Sequence, residues 1–172
     1  DIRVVSKVGL GTQFVVSTVF PTSTSEAHIQ ATHALPKSQN LHRSLQGKCI
    51  AVIEDNPIIV EAYRQTFANK GAYVQVLSEH ESELDLQLET IDQIDCILSD
   101  YRLSQTTGDL LIQKLRDSYN QEIPAIIVTA DTSPTHINLF AKLNVQVLHK
   151  PISFHEIAVA IEKIIAAQAS LE

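Results

Sequence analysis

Residues 94–102 read Ile94-Asp95-Cys96-Ile97-Leu98-Ser99-Asp100-Tyr101-Arg102, and the fold turns on how this stretch is understood. Its apolar run, Cys96-Ile97-Leu98, is continuous rather than alternating, the pattern of a strand covered on both faces. The run ends abruptly near a carboxylate, Asp100. In open parallel α/β sheets, ligands and chemistry collect just beyond the carboxyl ends of the strands. Three other apolar runs end in the same manner: Cys49 to Ile53 in Glu54-Asp55, Ala125 to Val128 in Thr129, and Val145 to Leu148 in His149-Lys150. Three acids, a hydroxyl and an ammonium are therefore expected at one rim, a setting for a divalent cation and a phosphoryl group.

Outward from this stretch the pattern is strand, helix, strand, helix. A first strand is predicted at about 48–53, followed by a helix opened by Asn56 as cap and Pro57 in the first turn, where a missing N–H costs nothing. Ile59, Ala62, Tyr63, Thr66 and Phe67 share one face of that helix at the i, i+3, i+4 spacing, and Gly71 closes it. A second strand spans 73–77, and Ser78 with Glu81 reads as a capping box for a second helix. The third strand ends at Asp100, a loop reaches Gly108, and the next helix buries Leu111, Ile112 and Leu115. A fourth strand, 125–128, precedes the cap-and-proline pair Ser133-Pro134. A fifth, 145–148, precedes Ser153 and Glu156, a second capping box, and then Ile157, Ile161, Ile164 and Ile165. Five strands alternating with five helices imply a doubly wound parallel α/β sheet with right-handed crossovers.

The 172 residues leave room for one ordinary domain and an appendage. Apolar residues make up 44% and charged ones 19%, the profile of a globular chain. A net charge of −7 and a pI near 5.4 offer no basic stripe, so no nucleic-acid partner is expected. No run is long enough to span a bilayer and no signal-peptide pattern opens the chain, so direct membrane contact is not expected and a cytoplasmic location is. Cys49 and Cys96 both lie inside apolar runs and read as free thiols rather than a disulfide. The seven histidines lack metal-ligand spacing and read as surface or linker residues. The absence of methionine suggests a piece of a longer protein.

Residues 47–168 resemble the receiver (response-regulator) domain of two-component signalling, on Glu54-Asp55 after strand one, Asp100 after strand three, Gly108 eight residues on, Thr129 after strand four, and Lys150-Pro151 after strand five. Five polar types in the right order, each ending a strand, carry the likeness. The wording DYRL…GDLLIQKLR and TADTSP looks like receivers attached to hybrid histidine kinases. The resemblance implies a flavodoxin-like, doubly wound five-stranded parallel sheet of order 2-1-3-4-5 with five helices. It implies Asp100 as the nucleophile that takes phosphorus from phosphohistidine to give an aspartyl phosphate. It implies Mg²⁺ held by Glu54, Asp55, Asp100 and the backbone carbonyl of Arg102, because an anion attacking an anionic phosphoryl group needs its charge offset. Lys150 would supply a point charge, Thr129 a hydroxyl donor, and Pro151 would follow a cis bond. The implied partners are a histidine-kinase dimerisation and phosphoacceptor domain or a histidine phosphotransfer protein.

Departures from the family pattern sharpen the reading. Many receivers carry an aromatic residue three before the lysine that swings inward when the threonine moves; here that position is Val147. A receiver used as a relay would not need it. Arg102 and Asp131, two beyond the nucleophile and two beyond the threonine, flank the family's path for hydrolytic water and are expected to pair across it. Ile58 and Val60 lie off the buried face of the first helix and are expected to form a partner patch, as this helix docks phosphodonors in the family.

Residues 1–21, DIRVVSKVGLGTQFVVSTVFP, alternate apolar and polar about Gly9-Leu10-Gly11 and read as a β-hairpin. Ser6, Gly9, Gly11, Thr12, Phe14 and Pro21 resemble the closing strands of a histidine-kinase ATP-binding domain. Residues 22–46, poor in large apolar groups, read as a linker. Kinase tail, linker and receiver together are the layout of a hybrid kinase. Two other classes compete: a non-phosphorylated interaction module with the same fold, and a Mg-dependent aspartyl-phosphate phosphatase. The latter chemistry wants a second acid two residues past the nucleophile, where Arg102 stands.

Overall fold

The computed structural model describes residues 2–7, 9, 11–17 and 44–168. The chain divides into two compact units, Asp1–Gln39 and Asn40–Glu172. In the first unit, β1 (Ile2–Lys7) and β2 (Gly11–Val16) pair antiparallel, Val4 opposite Phe14 and Ile2 opposite Val16. These four side chains are exposed, leaving the hairpin with an uncovered apolar face. Residues 18–43, which hold Pro21 and most of the expected linker, lie outside the described residues.

The second unit runs β3 (Cys49–Ile53), α1 (Pro57–Ala68), β4 (Tyr73–Val76), α2 (Glu81–Leu88), β5 (Cys96–Asp100), α3 (Gly108–Tyr119), β6 (Ala125–Thr129), α4 (Pro134–Lys142), β7 (Gln146–His149) and α5 (Phe154–Gln168). The five strands form one parallel sheet in the order β4-β3-β5-β6-β7, which is 2-1-3-4-5 counted from β3. The continuous apolar runs follow from burial on both faces. Ile50, Val52, Leu98, Ile126 and Val128 face Tyr63 and Phe67 of α1 and Ile157 and Ile161 of α5. Ala51, Ile53, Ile97 and Ile127 face Leu84 of α2, Leu111, Ile112 and Leu115 of α3, and Phe140 of α4. Order reversal between β4-β3 and β5-β6 opens the crevice where ligands bind in such sheets.

Most local signals hold, and the exceptions have causes. Asn56 caps α1 by accepting from the Ile58 N–H at 3.0 Å. Ser153 and Glu156 form the reciprocal capping box, with bonds of 2.9 and 3.2 Å. Gly71 holds φ +84 in the turn after α1, where a side chain would also meet Gln46. Ser78, by contrast, does not cap α2: that helix starts at Glu81 after His80, and the Ser78 hydroxyl instead donates to Glu83 at 2.7 Å. Ser133 stands at the cap position of α4 without a capping bond, its hydroxyl turned to His136. The packed unit also reaches back to Ser44: Leu45 is fully buried among α1 and α5, and its N–H donates to Lys70 O. Cys49 and Cys96 are free, as expected, with Cys96 buried and Cys49 half-buried. Burial pushes both thiols up, Cys96 to about 12, so neither is a ready nucleophile.

Arg116 of α3 is a buried charge that the helical pattern did not mark. Its guanidinium donates to Ile123 O at 3.0 and 2.8 Å and to the carbonyls of Leu143 and Asn144, joining the turn before β6 to the turn before β7. Replacing it with alanine leaves those carbonyls short of donors and is expected to cost about 3 kcal/mol. Urea unfolding with an unchanged m-value checks this; a loss below about 0.5 kcal/mol would mean solvent serves those carbonyls equally well.

Candidate functional site

Asp100 ends β5, and its position is set from three sides. The Tyr101 N–H donates to Val128 O at 3.0 Å, holding the strand end against β6. The Ser99 hydroxyl, buried, donates to Asp100 O at 2.8 Å. The first residue of α3, Gly108, lies against that same carbonyl, so closely that a Cβ there would stand 2.4 Å from it. The carboxylate is mostly buried. Its Oδ2 receives Lys150 Nζ at 2.5 Å and its Oδ1 the Arg102 N–H at 3.3 Å.

Lys150 follows β7, whose last pairing partner is Thr129, and its own N–H donates to Thr129 O at 2.8 Å. The Lys150–Pro151 bond is cis. Thr129 is buried at the end of β6, and its hydroxyl oxygen accepts from the Asp131 N–H at 3.0 Å. An oxygen accepting there keeps its own proton free to donate elsewhere.

Glu54 and Asp55 follow β3. Glu54 Oε1 accepts from the Asn56 N–H at 3.0 Å, and Asp55 Oδ2 accepts from the Ser104 hydroxyl at 2.5 Å. Burial pushes the Glu54 carboxyl above its ordinary range, with the Asp100 and Asp55 charges adding to it and Lys150 opposing. Beneath them Tyr63, buried, has its phenol raised by burial and then by Glu54 and Asp100. The charges of Glu54, Asp55, Asp100 and Lys150 thus act on one small volume.

Among the described residues no three acid, histidine or cysteine side chains converge closely enough to chelate an ion unaided. Asp100 is turned to Lys150 and Asp55 to Ser104. The donor set nevertheless suits Mg²⁺, a hard cation that keeps several waters and needs only one or two carboxylates, because every side-chain donor here is an oxygen.

Arg102 and Asp131 pair at 3.1 Å, Arg102 largely exposed. Asp131 is held well below the usual carboxylate range, first by the Ser133 N–H and then by Arg102. Val147 is half-buried against the α3–α4 side of the core. On α1, Ile58 is 80% exposed while Val60 is half-buried, so of the two expected patch residues only Ile58 stands fully clear. Three neighbours of the site went unmarked in the sequence: Ser104, Tyr101 and His136. His136, read as a surface histidine, is half-buried and lies 2.9 Å from Asp131. No spacing rule flags it, since its partners come from other segments.

Residues 50–162 match the family described as response regulator receiver domain. The chain belongs to the response regulator receiver family. Solved structures agree in fold. A CheY-like receiver domain protein from Methanospirillum hungatei superposes with TM-score 0.64 at 18% identity, over 74% of this chain and 100% of its own. A receiver domain protein from Clostridium thermocellum gives 0.62 at 20% identity, over 73% and 99%. A two-component response regulator from Clostridium difficile gives 0.60 at 17%, over 69% and 96%. No curated protein matches the chain. At such identities the structures speak for the receiver fold alone. Among the described residues of this receiver no helix is long and apolar enough to cross a membrane.

Proposed function

We propose that this receiver, on the cytoplasmic side, accepts a phosphoryl group from a phosphohistidine onto Asp100, as one station of a phosphorelay in a hybrid histidine kinase. The observation that carries the reading is the Lys150–Asp100 ion pair at the carboxyl edge of the sheet, beside a buried threonine hydroxyl. An Asp100 oxygen attacks phosphorus while the P–N bond to the imidazole breaks, and the electron pair leaves with the ring nitrogen. Lys150 neutralises the attacking carboxylate in the resting pair and then turns toward the phosphoryl oxygens. Thr129 donates its free proton to one of them. When bound by Glu54, Asp55, Asp100 and the Arg102 carbonyl, Mg²⁺ supplies the divalent charge that offsets the clustered anions. What remains is positioning and electrostatics, the usual content of phosphoryl transfer.

Intact mass after incubation with acetyl phosphate and Mg²⁺ tests the reading. One phosphoryl adduct, discharged by hydroxylamine, is expected. Turnover of acetyl phosphate without a lasting adduct supports a phosphatase instead, and neither adduct nor turnover supports an interaction module.

The exposed Ile58, with Pro57, Ala62 and the stems of Glu61 and Gln65, forms a shallow apolar surface on α1 near the site. We read it as the dock for a histidine-bearing partner, either a kinase phosphoacceptor domain or a phosphotransfer protein, with Ile58 as its anchor and Val60, half-buried on another side of α1, outside it. Ile58→Glu is expected to slow transfer from such a partner about tenfold, the scale of one lost interface anchor, while acetyl phosphate labelling stays unchanged. Equal slowing of both would remove the assignment.

The Arg102–Asp131 pair, 3.1 Å apart, is proposed to stand across the approach to Asp100 and to slow hydrolysis. With both residues changed to alanine, the aspartyl phosphate is expected to decay several-fold faster; an unchanged lifetime in a phosphate-release assay would refute this. The hairpin supports the hybrid-kinase context: its face of Ile2, Val4, Phe14 and Val16 is exposed, and a lone two-stranded ribbon is marginal in water. Such a face fits the closing strands of a larger ATP-binding domain.

A further inference from the structure

The loop that follows Asp100 is closed on itself. Arg102 and Thr107 pair as an isolated antiparallel bridge, and the Gly108 N–H donates to Tyr101 O at 2.9 Å. Its tip, Ser104-Gln105, reaches two carboxylates on other segments. The Ser104 hydroxyl donates to Asp55 Oδ2 at 2.5 Å, and the Gln105 N–H donates to Glu79 Oε2 at 3.1 Å. Glu54, Asp55, Glu79 and Ser104 line one crevice of about 420 Å³. The loop is therefore tied to the end of β3 through Asp55 and to the segment after β4 through Glu79.

We propose that Ser104 is a positioning residue that sets the spacing between two oxygen donors for Mg²⁺, the Asp55 carboxylate and the Arg102 carbonyl. The inference rests on the receiver reading, which assigns both donors to the ion. They belong to segments far apart in sequence, and the Asp55 side chain is exposed, with rotamer freedom of its own. Arg102 lies two residues before Ser104 inside the closed loop, so the bond from Ser104 to Asp55 fixes one donor relative to the other. That bond uses one lone pair of a carboxylate that offers about four, so Asp55 keeps the capacity to ligate. Hydrogen bonds to ligating groups orient them, and their loss weakens metal sites by about tenfold or more. The Gln105–Glu79 bond comes from the main chain, so it holds the loop tip whatever side chain stands at 104. Deleting the Ser104 hydroxyl thus frees Asp55 without releasing the loop.

Spacing matters more to one ion than to another. Mg²⁺ demands near-octahedral geometry with short bonds, whereas Ca²⁺ accepts longer bonds in flexible arrangements. A donor pair held at a set distance therefore favours Mg²⁺, and a loosened pair gives up that preference.

Amide ¹H–¹⁵N shifts of the full chain at Asp55, Arg102 and Leu103, followed through separate titrations with magnesium chloride and calcium chloride, test this. Ser104→Ala is expected to bind Mg²⁺ about tenfold more weakly, the lower end for such partners because this one is exposed. Its Ca²⁺ affinity should stay within about twofold of wild type, a split that general damage to the site would not produce. Ser104→Thr keeps the hydroxyl and should return Mg²⁺ affinity to within about threefold of wild type. An alanine protein with wild-type or tighter Mg²⁺ binding, or one that loses both ions equally, overturns the proposal. So does a threonine protein as weak as the alanine one. A wild type whose amides at these positions answer neither ion overturns the metal assignment of the receiver reading itself.

Discussion

Asp100→Asn is expected to gain no phosphoryl group from acetyl phosphate or from a phosphohistidine partner, its adduct in intact mass falling from near full occupancy to background. The carboxamide is nearly the same shape, so the strand end, the Ser99 bond to the main-chain carbonyl and the Gly108 contact all survive. What is lost is the anionic oxygen, since an amide oxygen shares its electrons with nitrogen and attacks phosphorus poorly. Stability should not fall with activity. The Asp100 charge contributes to the raised Glu54 carboxyl. An acid whose folded pKa lies above its unfolded one withdraws stability as pH rises through that window, so removing the neighbouring charge returns part of it at neutral pH. Thermal unfolding at pH 7 is expected close to the wild-type midpoint, the lost Lys150 pair offsetting the relief of Glu54. A residual adduct on the asparagine protein would place the phosphoacceptor elsewhere.

The second large effect is expected at Gly108. A methyl there would stand 2.4 Å from Asp100 O, 2.4 Å from Ser99 Oγ and 3.1 Å from Ser99 Cβ. The serine oxygen can rotate away. The Asp100 carbonyl cannot, because β5 is held by its pairing with β6. Gly108→Ala must therefore push α3 off the sheet or bend the strand that aims Asp100, at a cost of about 3 kcal/mol. Labelling at temperatures where the protein is still folded should also slow about tenfold, because an ångström of misplacement is expensive in a positioning reaction. Adding Ser99→Ala relieves only the rotatable contact and should recover less than half of the stability. A Gly108→Ala protein with wild-type unfolding and labelling would show that α3 has room to yield.

Much of this was legible in one dimension because it is local. Continuous apolar runs ending in Glu54-Asp55, Asp100, Thr129 and Lys150 mark doubly covered strands with polar tips, and a parallel sheet brings such tips to one edge regardless of loop detail. Asn56-Pro57, Gly71 and the Ser153–Glu156 box are short-range hydrogen-bond or dihedral requirements that the residues carry with them. The failed capping box at Ser78 shows the limit. Glu83 competes for the hydroxyl and the chain turns two residues later, a choice made by where α2 can bury Leu84. His136, Ser104 and Arg116 lie beyond that limit as well.

By itself, then, the sequence determined the α/β alternation, the order of the polar strand ends and the family, since these depend on burial periodicity and neighbours within a turn of each other. Only the tertiary structure decided that Asp100 is turned to Lys150, that Asp55 is held by Ser104, that Arg116 ties two turns together and that His136 lies against Asp131 and Tyr101. Those partners are brought together from distant segments by packing, and no spacing rule along a chain records a distance that the fold creates.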